Sequence, residues 1–214
     1  MEDTRRNLLI VGAGGFGREV LGYIEDDNPL FRVKGFLDSR GDALEGTPRS
    51  VGIVGDPLTY QPLADEVFMA AVGDPQMRFK YTATLRDVHH VDFATVVHPR
   101  ANVSRHANLR HGCIIAPQVG LSVDTHIGEF SCIQEYTVVG HDAHIGNWCQ
   151  INSHCTIAGG ARIGHFVTIH PNSVVTARAV IGDGAIVGPG SVVMGRIPAG
   201  ITVLGNPARR FSFR

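Results

Sequence analysis

The chain has 214 residues and a formal net charge of −1, a length that allows one large domain or two small ones. Its basic residues are scattered ahead of the C-terminal tail, which excludes the clustered positive field of a nucleic-acid surface. No apolar run reaches the length of a signal peptide or membrane span, so a soluble, cytoplasmic protein is expected.

The first ninety or so residues alternate strand and helix signals. Asn7 to Val11 is a short apolar run that leads directly into Gly12-Ala-Gly-Gly-Phe-Gly17, and an amphipathic segment from Arg18 to Glu25 follows. This is strand, glycine turn, helix. Phe31 to Leu37 predicts a second strand ending at Asp38, Val51 to Val54 a weaker one, and Val67 to Val72 another before Gly73-Asp74-Pro75. Pro75 to Arg86 reads as a helix opened by proline. The alternation predicts a small α/β unit with a parallel, Rossmann-like sheet.

Gly12-x-Gly14-x-x-Gly17, with Asp38 twenty-one residues later, meets the dinucleotide fingerprint, in which backbone amides approach phosphate and a carboxylate holds a ribose hydroxyl. The segment is long enough for one mononucleotide half only. A nucleotide diphosphate linked to another group therefore fits better than NAD. The same glycines would also serve a tight strand-to-helix turn that binds nothing.

From Val97 to Val193 every sixth residue is Val, Leu or Ile without exception, and a second register, running from Ala101 to Ile197, is small at fourteen of its seventeen positions. Such a period specifies a parallel β-helix. Three hexads make one coil, so residues eighteen apart stack; the aliphatic register points inward and the small register is expected at the corners. Cys113, Cys149 and Cys155 fall in the small register and are expected to fill the core as reduced thiols, while Cys132 falls outside it and has no CxxC partner.

Counting in eighteens places His141 beneath Gly159, Ala177 and Gly195, and Asp142 beneath Gly160, Arg178 and Arg196. A histidine thus lies at the foot of a track with almost no side chains, beside cations at the far end. A phosphorylated pantetheine arm has that shape and charge.

With these residues in view, the chain resembles the hexapeptide acyltransferases with a left-handed β-helix, in the subgroup carrying a nucleotide-sugar-binding N-terminal domain. Sialate O-acetyltransferase-like and bacillosamine N-acetyltransferase-like proteins make up that subgroup, and the perosamine N-acetyltransferases are its nearest branch. The likeness rests on Gly12-Ala-Gly-Gly-Phe-Gly17, Phe36-Leu-Asp38, Ala71-Val-Gly-Asp74, Val139-Gly-His-Asp142 and the tail Ile197 to Arg210. It implies two domains, 1–92 for the nucleotide sugar and 93–214 for acetyl transfer, and a homotrimer with active sites between subunits. It further implies acetyl-CoA as cosubstrate, no metal, and a nucleotide-linked amino sugar, with GDP favoured, as acceptor. His141 and Asp142 match the catalytic motif; Gly159, Gly160, Ala177, Arg178, Gly195 and Arg196 are then expected along acetyl-CoA. Gly14, Gly15, Phe16 and Gly17 are expected near phosphate, Asp38 near ribose or base, and Gly73 also at the nucleotide sugar.

Three rivals remain open at this point. A sugar O-acetyltransferase would use the same site. A γ-type carbonic anhydrase would bind zinc through histidines such as His165 and His170, although Glu129 stands where another histidine is needed. A non-catalytic sensor of nucleotide sugars would bind nucleotide and leave acetyl-CoA intact. His126 and His144, eighteen apart, could share an ion between subunits, although exposed corner residues explain them better.

Overall fold

The computed structural model describes residues 5–27 and 30–211 and divides the chain into two compact units, Met1–His98 and Pro99–Arg214. The first is a four-stranded parallel sheet of β1 (Arg6–Val11), β2 (Phe31–Leu37), β3 (Ile53–Gly55) and β4 (Glu66–Ala70) in the order β3-β2-β1-β4. β1 sits inside, and its Leu8–Val11 run is buried throughout. Continuous apolarity, instead of alternation, is what a strand covered on both faces requires.

Helix α1 (Gly15–Asp27) begins three residues before the amphipathic pattern suggests, because Gly15-Phe16-Gly17 form its first turn. The Arg18 N–H already donates to the Gly14 carbonyl. Helix α2 (Pro75–Ala83) starts as expected: Asp74 caps the Met77 N–H at 2.8 Å, and Pro75 occupies a position whose N–H would be unused anyway. It ends earlier than Arg86, passing into a π-helical turn over Thr84–Val88.

The second unit is a β-helix of two-residue strands. Val138–Val139, for example, pairs in parallel with Gly120–Leu121 on one side and Thr156–Ile157 on the other, an interval of eighteen residues. The aliphatic register from Ile115 to Val193 is buried. So is the small register from Cys113 to Ser191, which faces the core two residues ahead of each aliphatic residue. The bend itself falls just before the small residue, on a turn pair such as His141–Asp142.

The second residue of each turn pair is left-handed. φ lies between 55° and 72° at every sixth residue from Gly112 to Gly190, including Phe130, Trp148 and Arg178. For a residue with a Cβ this costs about 1–2 kcal/mol. Two contacts offset it: the corner N–H reaches the carbonyl nineteen residues earlier, as Trp148 does to Glu129 at 2.7 Å, and the side chains stack. The Phe130 and Trp148 rings lie 4.1 Å apart and 5° from parallel.

Polar members of the small register are buried with their hydrogen bonds made. Thr125, Ser131, Cys149 and Ser173 each donate to the carbonyl fifteen residues later. Cys113, Cys149 and Cys155 are buried, as the register implies, Cys132 is buried as well, none forms a disulfide, and burial pushes the Cys155 thiol up to about 11.

One expected alignment fails at the C-terminal end. Ile197 follows Val193 by four positions instead of six, so the corner pair is missing from that coil and Ile181 pairs with Ile197, sixteen residues on. Ile197 therefore belongs to the aliphatic register, not the small one. Gly195 lies beside Val180, to which its carbonyl is bonded, and Arg196 pairs with Val180; neither continues the column above Ala177 and Arg178.

Ser131 offers a direct check, since its Oγ donates to the Gly146 carbonyl at 2.7 Å and accepts from the Cys149 N–H at 2.9 Å. Ser131→Ala leaves both buried groups unpaired and should lower unfolding stability by about 1–3 kcal/mol in denaturant melts. Ser131→Thr should lose less.

Candidate active site

In the first unit a cleft of about 480 Å³ opens at the carboxyl ends of β1, β2 and β4. This is where parallel sheets hold ligands. Gly14, Gly15, Phe16, Asp38 and Gly73 line it, together with Arg40, which the sequence reading passed over. Gly17 does not.

The glycines divide by purpose. A Cβ at Gly12, where φ is 103°, would lie 2.8 Å from Val72 Cγ2, and one at Gly17 would overlap the Gly12 carbonyl. These two pack the turn, and Gly17 seats α1 on β1. Gly15 and Gly73 face open space, and Gly14 meets only Arg40, at 3.9 Å. Packing does not demand glycine there.

Asp38 is 8% exposed, and its carboxylate is fully engaged. Oδ2 accepts the Ala13 N–H at 2.9 Å and Arg40 Nη2 at 3.0 Å, while Oδ1 accepts the Arg40 N–H at 2.9 Å and Arg40 Nε at 3.0 Å. Burial pushes this carboxyl upward, but the Arg40 side chain, the two backbone donors and the Arg40 charge together hold it below the usual range.

In the second unit the Gly140–Asp142 corner presents His141. Its Nδ1 lies 2.7 Å from Asp142 Oδ2, which makes Nδ1 the donor and leaves Nε2 as a proton acceptor. The ring lies over Gly159: a Cβ there would be 2.7 Å from Nε2. Glycine at 159 is thus required by the histidine. His144 braces the same corner, its Nδ1 donating to the Asp142 carbonyl at 3.0 Å while its ring stacks on His126 at 4.4 Å.

A neighbouring corner shows what is unusual here. There, the N–H groups of Glu129, Asn147 and His165 are capped by the side chains of Asn147, His165 and Asp183, each eighteen residues later. In the His141 column the residues in the capping position are Gly159 and Ala177, which have nothing to cap with. Among the described residues, the Gly159 N–H therefore has no acceptor. That donor belongs to the glycine over which the imidazole lies. Because His165 Nδ1 is occupied by the Asn147 N–H, the zinc arrangement considered above loses a ligand atom. Among the described residues no three His, Cys, Asp or Glu side chains are grouped to hold a metal ion.

With this geometry established, comparison with known proteins gives the family. Residues 7–85 match the PglD N-terminal domain, and residues 124–159 and 160–195 match the bacterial transferase hexapeptide (six repeats) family. The chain belongs to the hexapeptide-repeat transferases. Among solved structures, this transferase chain is similar to a mutant form of perosamine N-acetyltransferase from Caulobacter crescentus in complex with CoA and GDP-perosamine. That similarity is 27% identity over 97% of both chains, with a TM-score of 0.85. WeeI from Acinetobacter baumannii AYE is 28% identical over 95% of this chain and 99% of its own, with a TM-score of 0.84. A GDP-perosamine N-acetyltransferase from Escherichia coli O157:H7 is 36% identical over 80 residues, which is 37% of this chain. That match spans 36% of the length of the curated relative. No described helix is long and apolar enough to cross a membrane.

The depressed Asp38 carboxyl has a pH consequence with a defined sign. A carboxyl held lower in the folded state stabilises the fold above the ordinary Asp pKa, near 3.8, and that stabilisation is lost as pH falls through the folded value. Thermal melts of wild type and Asp38→Asn should differ most at neutral pH and converge below about pH 4.

Proposed function

We propose that the chain transfers the acetyl group of acetyl-CoA to the amino group of a nucleotide-linked amino sugar, with the 4-amino group of GDP-perosamine as the favoured acceptor. The observation that carries this is the His141 corner: an imidazole polarised by Asp142, with its free Nε2 lying over Gly159, whose backbone N–H no described residue engages. Support for the acceptor comes from the cleft beside the glycine turn and from what the similar C. crescentus enzyme binds.

The reaction is a direct transfer. The neutral amine nitrogen attacks the thioester carbonyl carbon, a C–N bond forms as the C–S bond breaks, and CoA leaves as the thiolate. The amine proton passes to His141 Nε2, and Asp142 holds the tautomer that makes this possible. The Gly159 N–H stabilises the oxyanion as it develops. Gly160, Ala177 and Arg178 continue the track for the pantetheine arm, and Gly195 and Arg196, displaced by the short coil, border its far end.

Residues 1–92 hold the nucleotide in this scheme and residues 93–214 perform the transfer. The chain acts as a homotrimer in the cytoplasm, and a second copy supplies the wall that a single chain lacks around His141 and Asp142, whose side chains are 66% and 64% exposed. No metal takes part.

Thiol release from acetyl-CoA, measured against nucleotide-linked 4-amino sugars, tests the assignment. GDP-perosamine should release free CoA in proportion to N-acetyl product; tight nucleotide binding with no thiol release would favour the sensor instead. His141→Asn should lower kcat about 100-fold or more, within the range of general-base catalysis, whereas a loss under about tenfold would reduce His141 to orienting the amine. Gly159→Ala should also cut kcat at least tenfold while leaving the melting temperature nearly unchanged, because the added methyl displaces only an exposed ring.

A further inference from the structure

Asp38 stands where a carboxylate ordinarily takes the ribose hydroxyls of a bound nucleotide. A carboxylate offers about four lone-pair positions. In this chain all four are taken, by Ala13 N–H, Arg40 N–H, Arg40 Nε and Arg40 Nη2. A ribose hydroxyl could bind Asp38 only by displacing one of them.

Arg40 is the group left facing the ligand. Two of its five N–H donors go to Asp38, so three remain, on a side chain that is 65% exposed and lines the cleft. Its Nη2 lies 3.9 Å from where a Gly14 Cβ would stand, immediately before the first turn of α1. Both atoms that bond Asp38 are on one edge of the guanidinium, which fixes its plane. A fixed, planar, permanently charged fork beside a helix N-terminus suits a diphosphate.

We propose that Arg40 is the diphosphate-binding residue of this cleft and that Asp38 is a positioning residue that aims it and does not contact the ribose. This rests on the nucleotide-sugar assignment made above and assigns its charge recognition. The guanidinium gains two hydrogen bonds to non-bridging phosphate oxygens; Asp38 prevents it from turning out to solvent. Affinity then depends on phosphate charge more than on the base.

Calorimetric titration of the full chain with GDP, UDP, CoA and guanosine tests this, with Arg40→Gln, Arg40→Lys and Asp38→Asn as variants. Arg40→Gln should weaken GDP and UDP binding about 10- to 100-fold and leave guanosine unchanged. Lysine, which keeps the charge and loses the fork, should recover part of that loss. Asp38→Asn should weaken GDP several-fold and raise KM for the nucleotide sugar with kcat unchanged, which a merely unstable variant would not do. CoA affinity should not move with any of the three, separating this diphosphate from that of the cosubstrate. Equal losses for GDP and guanosine in Arg40→Gln would mean that Arg40 reads the base, and an unaltered GDP affinity would remove it from the site. If wild type binds no nucleotide, the nucleotide-sugar assignment falls as well. Binding by wild type with no effect of Arg40→Gln refutes this inference alone.

Discussion

The second unit depends on one demand: the chain must turn a corner every six residues, and each corner needs one residue with positive φ. Because that residue is seldom glycine here, each coil is held by its neighbours. At the Trp148 corner the N–H is claimed by the Glu129 carbonyl nineteen residues earlier, the ring stacks on Phe130 eighteen away, and Ser131 from the previous coil caps the Gly146 carbonyl beside the bend. None of these contacts exists within a single coil. Stability therefore accrues by stacking, as in other solenoids, and Ser131 or Trp148 contributes to two coils at once.

Against that uniform background, the candidate active corner is distinguished by what it omits. In the Glu129, Asn147 and His165 column a side chain closes the N–H group at the start of the bend; in the His141 column a glycine leaves it open and leaves room for the ring. The chemistry needs no departure from the fold. It needs one histidine, one acid to fix its tautomer, and the absence of a cap. The cleft of the first unit uses glycine in the same two senses, with Gly12 and Gly17 needed for packing, and Gly14, Gly15 and Gly73 leaving backbone accessible.

Much of this was legible in the residues. Hexad spacing located every buried aliphatic position from Ile115 to Val193 and put His141 against Gly159, because stacking in a solenoid is set by counting alone. The count failed where two residues were missing: the sequence still shows an apolar residue at 197, and the small-residue pattern absorbed it as a harmless exception, so Gly195 and Arg196 were carried into a column they do not join. Gly17 stands apart from Gly14 and Gly15 for a steric reason. A fingerprint gives glycine positions without saying which are steric and which are exposed, and only the close approach of Gly12 separates them. Arg40 was visible as Asp38-x-Arg40, but a two-residue spacing carries no signal until the carboxylate is seen to be saturated. Side-chain capping by Ser, Thr and Cys was likewise hidden, since any small residue satisfies the pattern.

Parallel coils pose a hazard of their own. Their last strands present unpaired N–H and C=O groups in the geometry that would accept another coil, so a solenoid with a bare end can template growth from a second molecule. In this chain Thr202–Leu204 pairs in parallel with the coil below, and then Arg209–Arg210 runs back along it in the opposite direction. Gly205 and Ala208 also bond the exposed edge of Val192. Reversing the strand direction breaks the template, and two adjacent arginines charge the new rim. The tail thus covers the last parallel edge of the coil stack and ends it on a strand of opposite direction.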